Sequence, residues 1–103
     1  MNTLSIDTSD NTKTSVTLLG DTTDTLEHST ESHASQVVLS LIDHILKKNM
    51  LSLDDIDEIQ VNPGPGSFTG LRVGISIAQA LGFAKRITIN GKEIGEYPTP
   101  EYT

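Results

Sequence analysis

Asn62–Gly74 reads NPGPGSFTGLRVG, four glycines and two prolines opening onto an apolar run. Such a stretch either cradles a phosphate or turns a strand sharply into a helix. A Walker-type phosphate loop needs a glycine followed, after four residues, by Gly-Lys-Ser/Thr. Five positions beyond Gly64 stands Thr69, and five beyond Gly66 stands Leu71, so no lysine is placed to reach a phosphate. The dinucleotide fingerprint Gly-x-Gly-x-x-Gly fits no better, because Gly64, Gly66 and Gly70 are spaced one residue too wide. Pro63 and Pro65 carry no backbone N–H and remove two donors. What is left for an anion is the set of amides at Gly66, Ser67, Phe68 and Thr69, at the start of a helix.

The helix reading is better supported. Gly70, Gly74, Ala78 and Gly82 recur every four residues and lie along one nearly flat face. Each glycine costs a helix about 1 kcal/mol relative to alanine, so close approach of a neighbour is expected to offset it. The rest of the helix, expected over about Gly70 to Ala84, is apolar almost all round, with Arg72, Ser76 and Gln79 as its thin polar strip. It must be covered on several sides, by a partner or by the other helix of the same chain.

Upstream, Leu4–Asp7 alternates apolar and polar and runs into the turn formers Thr8–Thr12. Lys13–Leu19 and Thr22–Ser29, joined through Gly20-Asp21, complete a three-strand antiparallel meander. Ala34, Val37, Val38, Leu41, Ile42, Ile45 and Leu46 then form a stripe at helical spacing, with Ser32 as cap and Lys47 and Lys48 at the favourable C-terminal end. Ser52–Asp55 reads as a short capped turn, and Ile59–Val61 as a strand entering the glycine loop. Ile87–Ile89 is a last strand, followed by the hairpin dipeptide Asn90-Gly91 and by Glu93–Gly95. The predicted order is α/β, with later strands parallel because helices separate them. Residues 1–90 form one lobe and 91–103 a tail, mobile or laid on a surface.

Composition narrows the chemistry. With 103 residues, 35% of them hydrophobic, the chain can bury one modest core. No apolar run approaches the roughly 18 residues of a membrane span, and Met1-Asn2-Thr3 does not begin a signal peptide, so a soluble cytoplasmic protein is expected. Zero cysteines remove disulfides, thiolate metal sites and a cysteine nucleophile. Fourteen acidic against seven basic side chains give a net charge of -7, a field that repels nucleic acid, so no direct nucleic-acid binding is expected.

Three stretches together carry a family resemblance: Leu4–Ser9 (LSIDTS), His33–Gln36 (HASQ) before the amphipathic helix, and above all Gly64–Arg72 (GPGSFTGLR). Over roughly residues 3–85 the sequence resembles the N-terminal lobe of the bacterial TsaB family, also called YeaZ. The resemblance implies an actin-like, ribonuclease H-like lobe that pairs with the catalytic paralogue TsaD. With the ATPase TsaE, these make threonylcarbamoyladenosine beside the anticodon of tRNAs that read codons starting with A. It further implies a subunit needed for assembly and activation and not for chemistry, its helix pair forming the dimer interface. A typical member carries a second lobe, which the present sequence does not match, and nucleotide in actin-like folds sits between two lobes.

Catalytic alternatives fit less well. A ribonuclease H-like nuclease needs clustered carboxylates, but Asp7 is met by Asn62 at the end of the fourth strand, and Asp43 sits late in its helix. His33 and His44 would lie about 16 Å apart along a helix, too far to share a metal, and His28 and His33 lack helical-pair spacing. Ser67 has no Gly-x-Ser-x-Gly elbow. No catalytic residue, metal or cofactor is expected. The expected partner interface is Gly70, Gly74, Ala78 and Gly82 with Val38, Leu41 and Ile45, facing a TsaD-like protein or a second copy, so that Gly74→Leu or Gly82→Leu would abolish association in a folded monomer. The alternative is a weak nucleotide-binding lobe in which Asp7, Thr8, Ser9, Gly66, Ser67 and Thr69 contact phosphate.

Overall fold

The computed structural model describes residues 1–29 and 35–101. Strands β1 (Thr3–Asp7), β2 (Lys13–Leu19) and β3 (Thr23–Ser29) form the meander; helix α1 (Ser35–Lys48), a 3-10 turn (Leu53–Asp55), strand β4 (Glu58–Val61), helix α2 (Phe68–Lys85) and strand β5 (Thr88–Ile89) follow. The sheet order is β3-β2-β1-β4-β5, antiparallel on the meander side and parallel from β1 through β4 to β5. The cap expected at Ser32, with His33 and Ala34, lies outside the described residues.

Register explains the single core. Leu18, Leu4, Ile59 and Ile89 are aligned across four strands, and Val16, Ile6 and Val61 form the next row. Because side chains alternate along a strand, both rows face one side. Both helices lie there: Val38, Ile42, Ile45 and Leu46 of α1 and Ile75, Ile77 and Ala78 of α2 join the strand residues in one buried cluster. The other side of β1 and β4 carries Thr3, Ser5, Asp7, Glu58 and Gln60, none of them buried, as expected of a sheet packed on one face.

The glycine stripe faces inward, and this corrects the expected interface. Gly70, Gly74, Ala78 and Gly82 are all buried within the chain. A Cβ on Gly74 would run into Thr8 Oγ1, and one on Gly82 would lie 2.9 Å from both the Ile87 carbonyl and Ile89 Cδ1. The close neighbours at Gly74 and Gly82 are therefore Thr8, at the end of β1, and Ile87 and Ile89, at β5. Val38 and Ile45 are completely buried, so they too offer no surface, whereas Leu41 is half-buried against the core.

Helix α2 begins two residues before Gly70 because Ser67 caps it, its hydroxyl accepting from Gly70 N at 3.3 Å. It ends at Arg86 in the left-handed region, with Ile87 N donating to Gly82 O at 2.9 Å. Past β5, Lys92 N donates to Ile89 O across the Asn90-Gly91 turn, but residues 92–101 pair with no strand, so the hairpin dipeptide makes a turn and no hairpin. The chain instead returns to the glycine loop, where Glu101 N donates to Pro63 O at 2.7 Å and Pro98 is buried.

Candidate functional site

Parallel pairing of β1 with β4 aligns Ile6 with Val61, so the two strands end side by side and release Asp7–Ser9 and Asn62–Ser67 next to each other. The two loops are laced together. Asp7 Oδ1 accepts from Ser9 N at 2.9 Å and from Ser9 Oγ at 2.6 Å. Asn62 Nδ2 donates to Ser9 Oγ at 3.1 Å, while Asn62 Oδ1 accepts from Gly64 N at 2.9 Å. Ser67 N donates to Ser9 O at 2.9 Å, and the buried Thr8 hydroxyl donates to Gly70 O at 2.6 Å. Gly66 lies against the Ser9 backbone so closely that no Cβ would fit.

Partial burial would raise the Asp7 carboxyl, but the Ser9 hydroxyl and amide, Asn62 and the charge of Lys13 outweigh it and hold the group below its ordinary 3.8. The site therefore presents a carboxylate, which repels an anion. Of the residues expected to touch phosphate, Thr8, Ser9 and Ser67 are brought together with Asp7 and Gly66, and their side chains bond to one another, to Asn62 or to Gly70. Thr69 stands apart, exposed on the first turn of α2. Asn62 is the residue that sequence reasoning undervalued. In the sequence it stands out only as a missing carboxylate, although its place at the end of the strand beside β1 is what lets one side chain tie both loops. Asp43 is engaged by Lys47 at 3.0 Å, His28 and His44 are exposed on separate elements, and no cluster of three metal-ligating side chains occurs among the described residues.

Surface of a different kind lies on the outside of the helices. Phe83 is 75% and Phe68 55% exposed, the latter with the Arg72 guanidinium 5.2 Å from its ring centre. Phe83 lines a groove of about 300 Å³ with Ser76, Gln79, Ala80 and Ile89. A second groove of about 300 Å³ between α1 and the 3-10 turn is lined by Leu39, Leu46, Leu51, Leu53 and Leu81.

Comparison with known proteins gives this architecture its relatives. A family model described as TsaD, tRNA N6-adenosine threonylcarbamoyltransferase, matches residues 25–91. A tRNA threonylcarbamoyladenosine biosynthesis protein TsaB from Haemophilus influenzae is 40% identical over 77 residues, which is 73% of this chain and 32% of that protein. A tRNA N6-adenosine threonylcarbamoyltransferase from Caldicellulosiruptor bescii is 45% identical over 47 residues, 46% of this chain and 14% of that protein. The solved structure of YeaZ from Pseudomonas aeruginosa superimposes with a TM-score of 0.81 at 30% identity, covering 86% of this chain and 43% of that one. The chain thus spans about a third of the Haemophilus protein and under half of the Pseudomonas chain. The five-stranded sheet with its two helices is an actin-like lobe, and the chain belongs to the TsaB (YeaZ) family, within the wider group that the TsaD model describes.

Proposed function

We propose that this lobe serves tRNA threonylcarbamoyladenosine biosynthesis in the cytoplasm as a non-catalytic assembly and activating element, which associates with a TsaD-like catalytic paralogue in a complex that includes a TsaE-like ATPase. The observation that carries this reading is the division of the molecule's surface. The polar groups of the β1–β4 junction are used to tie two loops together, while α2 turns Phe68 and Phe83 outward. Exposed aromatic side chains beside a groove are the usual anchors of a protein interface. The interface accordingly belongs to the outer faces of α1 and α2, around Phe83 and the leucine-lined groove, with Leu39 at its α1 side. No described helix is long and apolar enough to cross a membrane.

Light scattering on a sizing column, with the protein alone and then mixed with the TsaD-like protein of the same organism, tests this. A mixed complex is the expected result. An inert monomer in both runs would remove the assembly reading. A second reading, weak nucleotide binding, draws on the exposure of Phe68 and Thr69 at the start of α2. Calorimetric titration with ATP decides it.

A further inference from the structure

Asn90 replaces a strand residue with its side chain. In a parallel strand the N–H and C=O of one residue point to the same neighbour. On β4, Asn62 N reaches back to Ile6 O, so the amide and carbonyl of Val61 are directed the other way, toward β5. Yet β5 ends at Ile89, and Asn90 turns off in the left-handed region at φ 52°. Its carboxamide takes over: Val61 N donates to Asn90 Oδ1 at 2.9 Å, and Asn90 Nδ2 donates to Val61 O at 3.0 Å. The turn is fixed on its other sides as well. Asn90 N donates to Ile59 O at 2.9 Å, Gly91 N to Glu58 Oε2 at 2.8 Å, and Lys92 N to Ile89 O at 3.0 Å.

Asn-Gly is also the dipeptide most open to deamidation, because glycine leaves its own amide nitrogen unhindered. We infer that Asn90-Gly91 is a deamidation site that the pairing with Val61 keeps closed, and that reacts when β5 opens from β4. In the reaction Gly91 N gives its proton to solvent base and attacks Asn90 Cγ; the new C–N bond forms, and Nδ2 leaves as ammonia. Water then opens the succinimide at either carbonyl, giving an aspartyl or an isoaspartyl linkage. In the folded chain the carboxamide is turned to Val61 and the Gly91 N–H to Glu58, so nucleophile and electrophile are both engaged elsewhere. The product cannot restore the pairing. A carboxylate at 90 accepts from Val61 N but sets a second oxygen against Val61 O, and an isoaspartyl residue adds a backbone atom to a turn whose register is fixed.

Peptide mapping by mass spectrometry, on the protein incubated at mildly alkaline pH in buffer and in denaturant, tests the gate. Conversion at Asn90 is expected to be slower in the folded protein by at least roughly tenfold, the factor given by a local opening cost of about 1.4 kcal/mol. Equal rates in the two conditions would overturn the gate. Absence of conversion in denaturant would overturn the site itself. Hydrogen exchange at the Val61 amide separates the consequence from global unfolding: Asn90→Asp should speed exchange there while amides of β1 and β2 keep their protection. Unchanged exchange at Val61 would show that the carboxamide does not close this edge.

Discussion

Thr8 Oγ1 occupies the space that a Cβ on Gly74 would need, while the same hydroxyl donates to the carbonyl of Gly70 one turn earlier in α2. The end of β1 and the start of α2 are thus joined by one buried hydrogen bond and one missing methyl group. Gly74→Ala should destabilise the fold by about 1–3 kcal/mol, the usual cost of overpacking. Thr8→Ala should cost about 1–3 kcal/mol through the lost bond and the carbonyl left without its donor. The double variant should cost less than the two singles added, because removing the hydroxyl makes room for the methyl. Urea denaturation of the four proteins measures this coupling, and strict additivity would contradict it.

This pair also shows what was legible in the sequence. The four-residue period of Gly70, Gly74, Ala78 and Gly82 announced a close approach, but periodicity specifies a face and not its neighbour. The neighbour is set by where β1 ends, and that depends on the parallel register of Leu4 with Ile59, a pairing between residues 55 positions apart. The strands and helices themselves were readable, because alternation in Leu4–Asp7 and the stripe from Val37 to Leu46 are local properties. The role of Asn62 and the carboxamide of Asn90 standing in for a strand residue were not readable, since each depends on a partner brought close only by the fold.

Because the stripe is internal, Gly82→Leu should act on folding and not first on association. Ile87 O and Ile89 leave no room for even a Cβ, and a leucine there should lower the melting temperature by at least about 4–8 °C for each kcal/mol lost. Circular dichroism on heating checks this. A Gly82→Leu protein that melts like the parent but no longer binds a TsaD-like partner would return the stripe to the interface.

Phe83→Asp carries the opposite expectation. With three quarters of its surface exposed, this side chain contributes little to the core, so the melting temperature should move by less than about 0.5 kcal/mol would produce. Association with a TsaD-like protein should weaken by about 2 kcal/mol or more, roughly thirtyfold, if Phe83 anchors the interface. Titration followed by light scattering measures the loss.

Acid should loosen the β1–β4 junction at Asp7. Its folded carboxyl lies below the ordinary 3.8, so the unfolded chain binds a proton more readily in acid. The stabilising contribution is therefore fully present above the unfolded value and is lost as pH falls through the lower folded value. Asp7→Asn should be less stable than the parent near neutrality, and the gap should close as pH drops below about 3.8. Urea midpoints of both proteins from neutral to acid pH give the test; a gap that widens in acid would reverse the assignment.

Ser67 separates the two functional readings most directly. Its hydroxyl accepts from Gly70 N and its amide donates to Ser9 O, both contacts internal to the loop and helix. If these contacts are its whole role, Ser67→Ala should cost about 1 kcal/mol, the typical loss of an N-cap, and leave the calorimetric response to ATP as it was. A phosphate held at this turn would instead draw on the same hydroxyl or on the amides beside it. Loss of ATP binding in Ser67→Ala, at a temperature where the variant is still folded, would then favour the nucleotide-binding lobe over the assembly element. The ionised Asp7 beside Ser9 argues for the first outcome, because a phosphate at Ser67 would bring like charges together across a laced pair of loops.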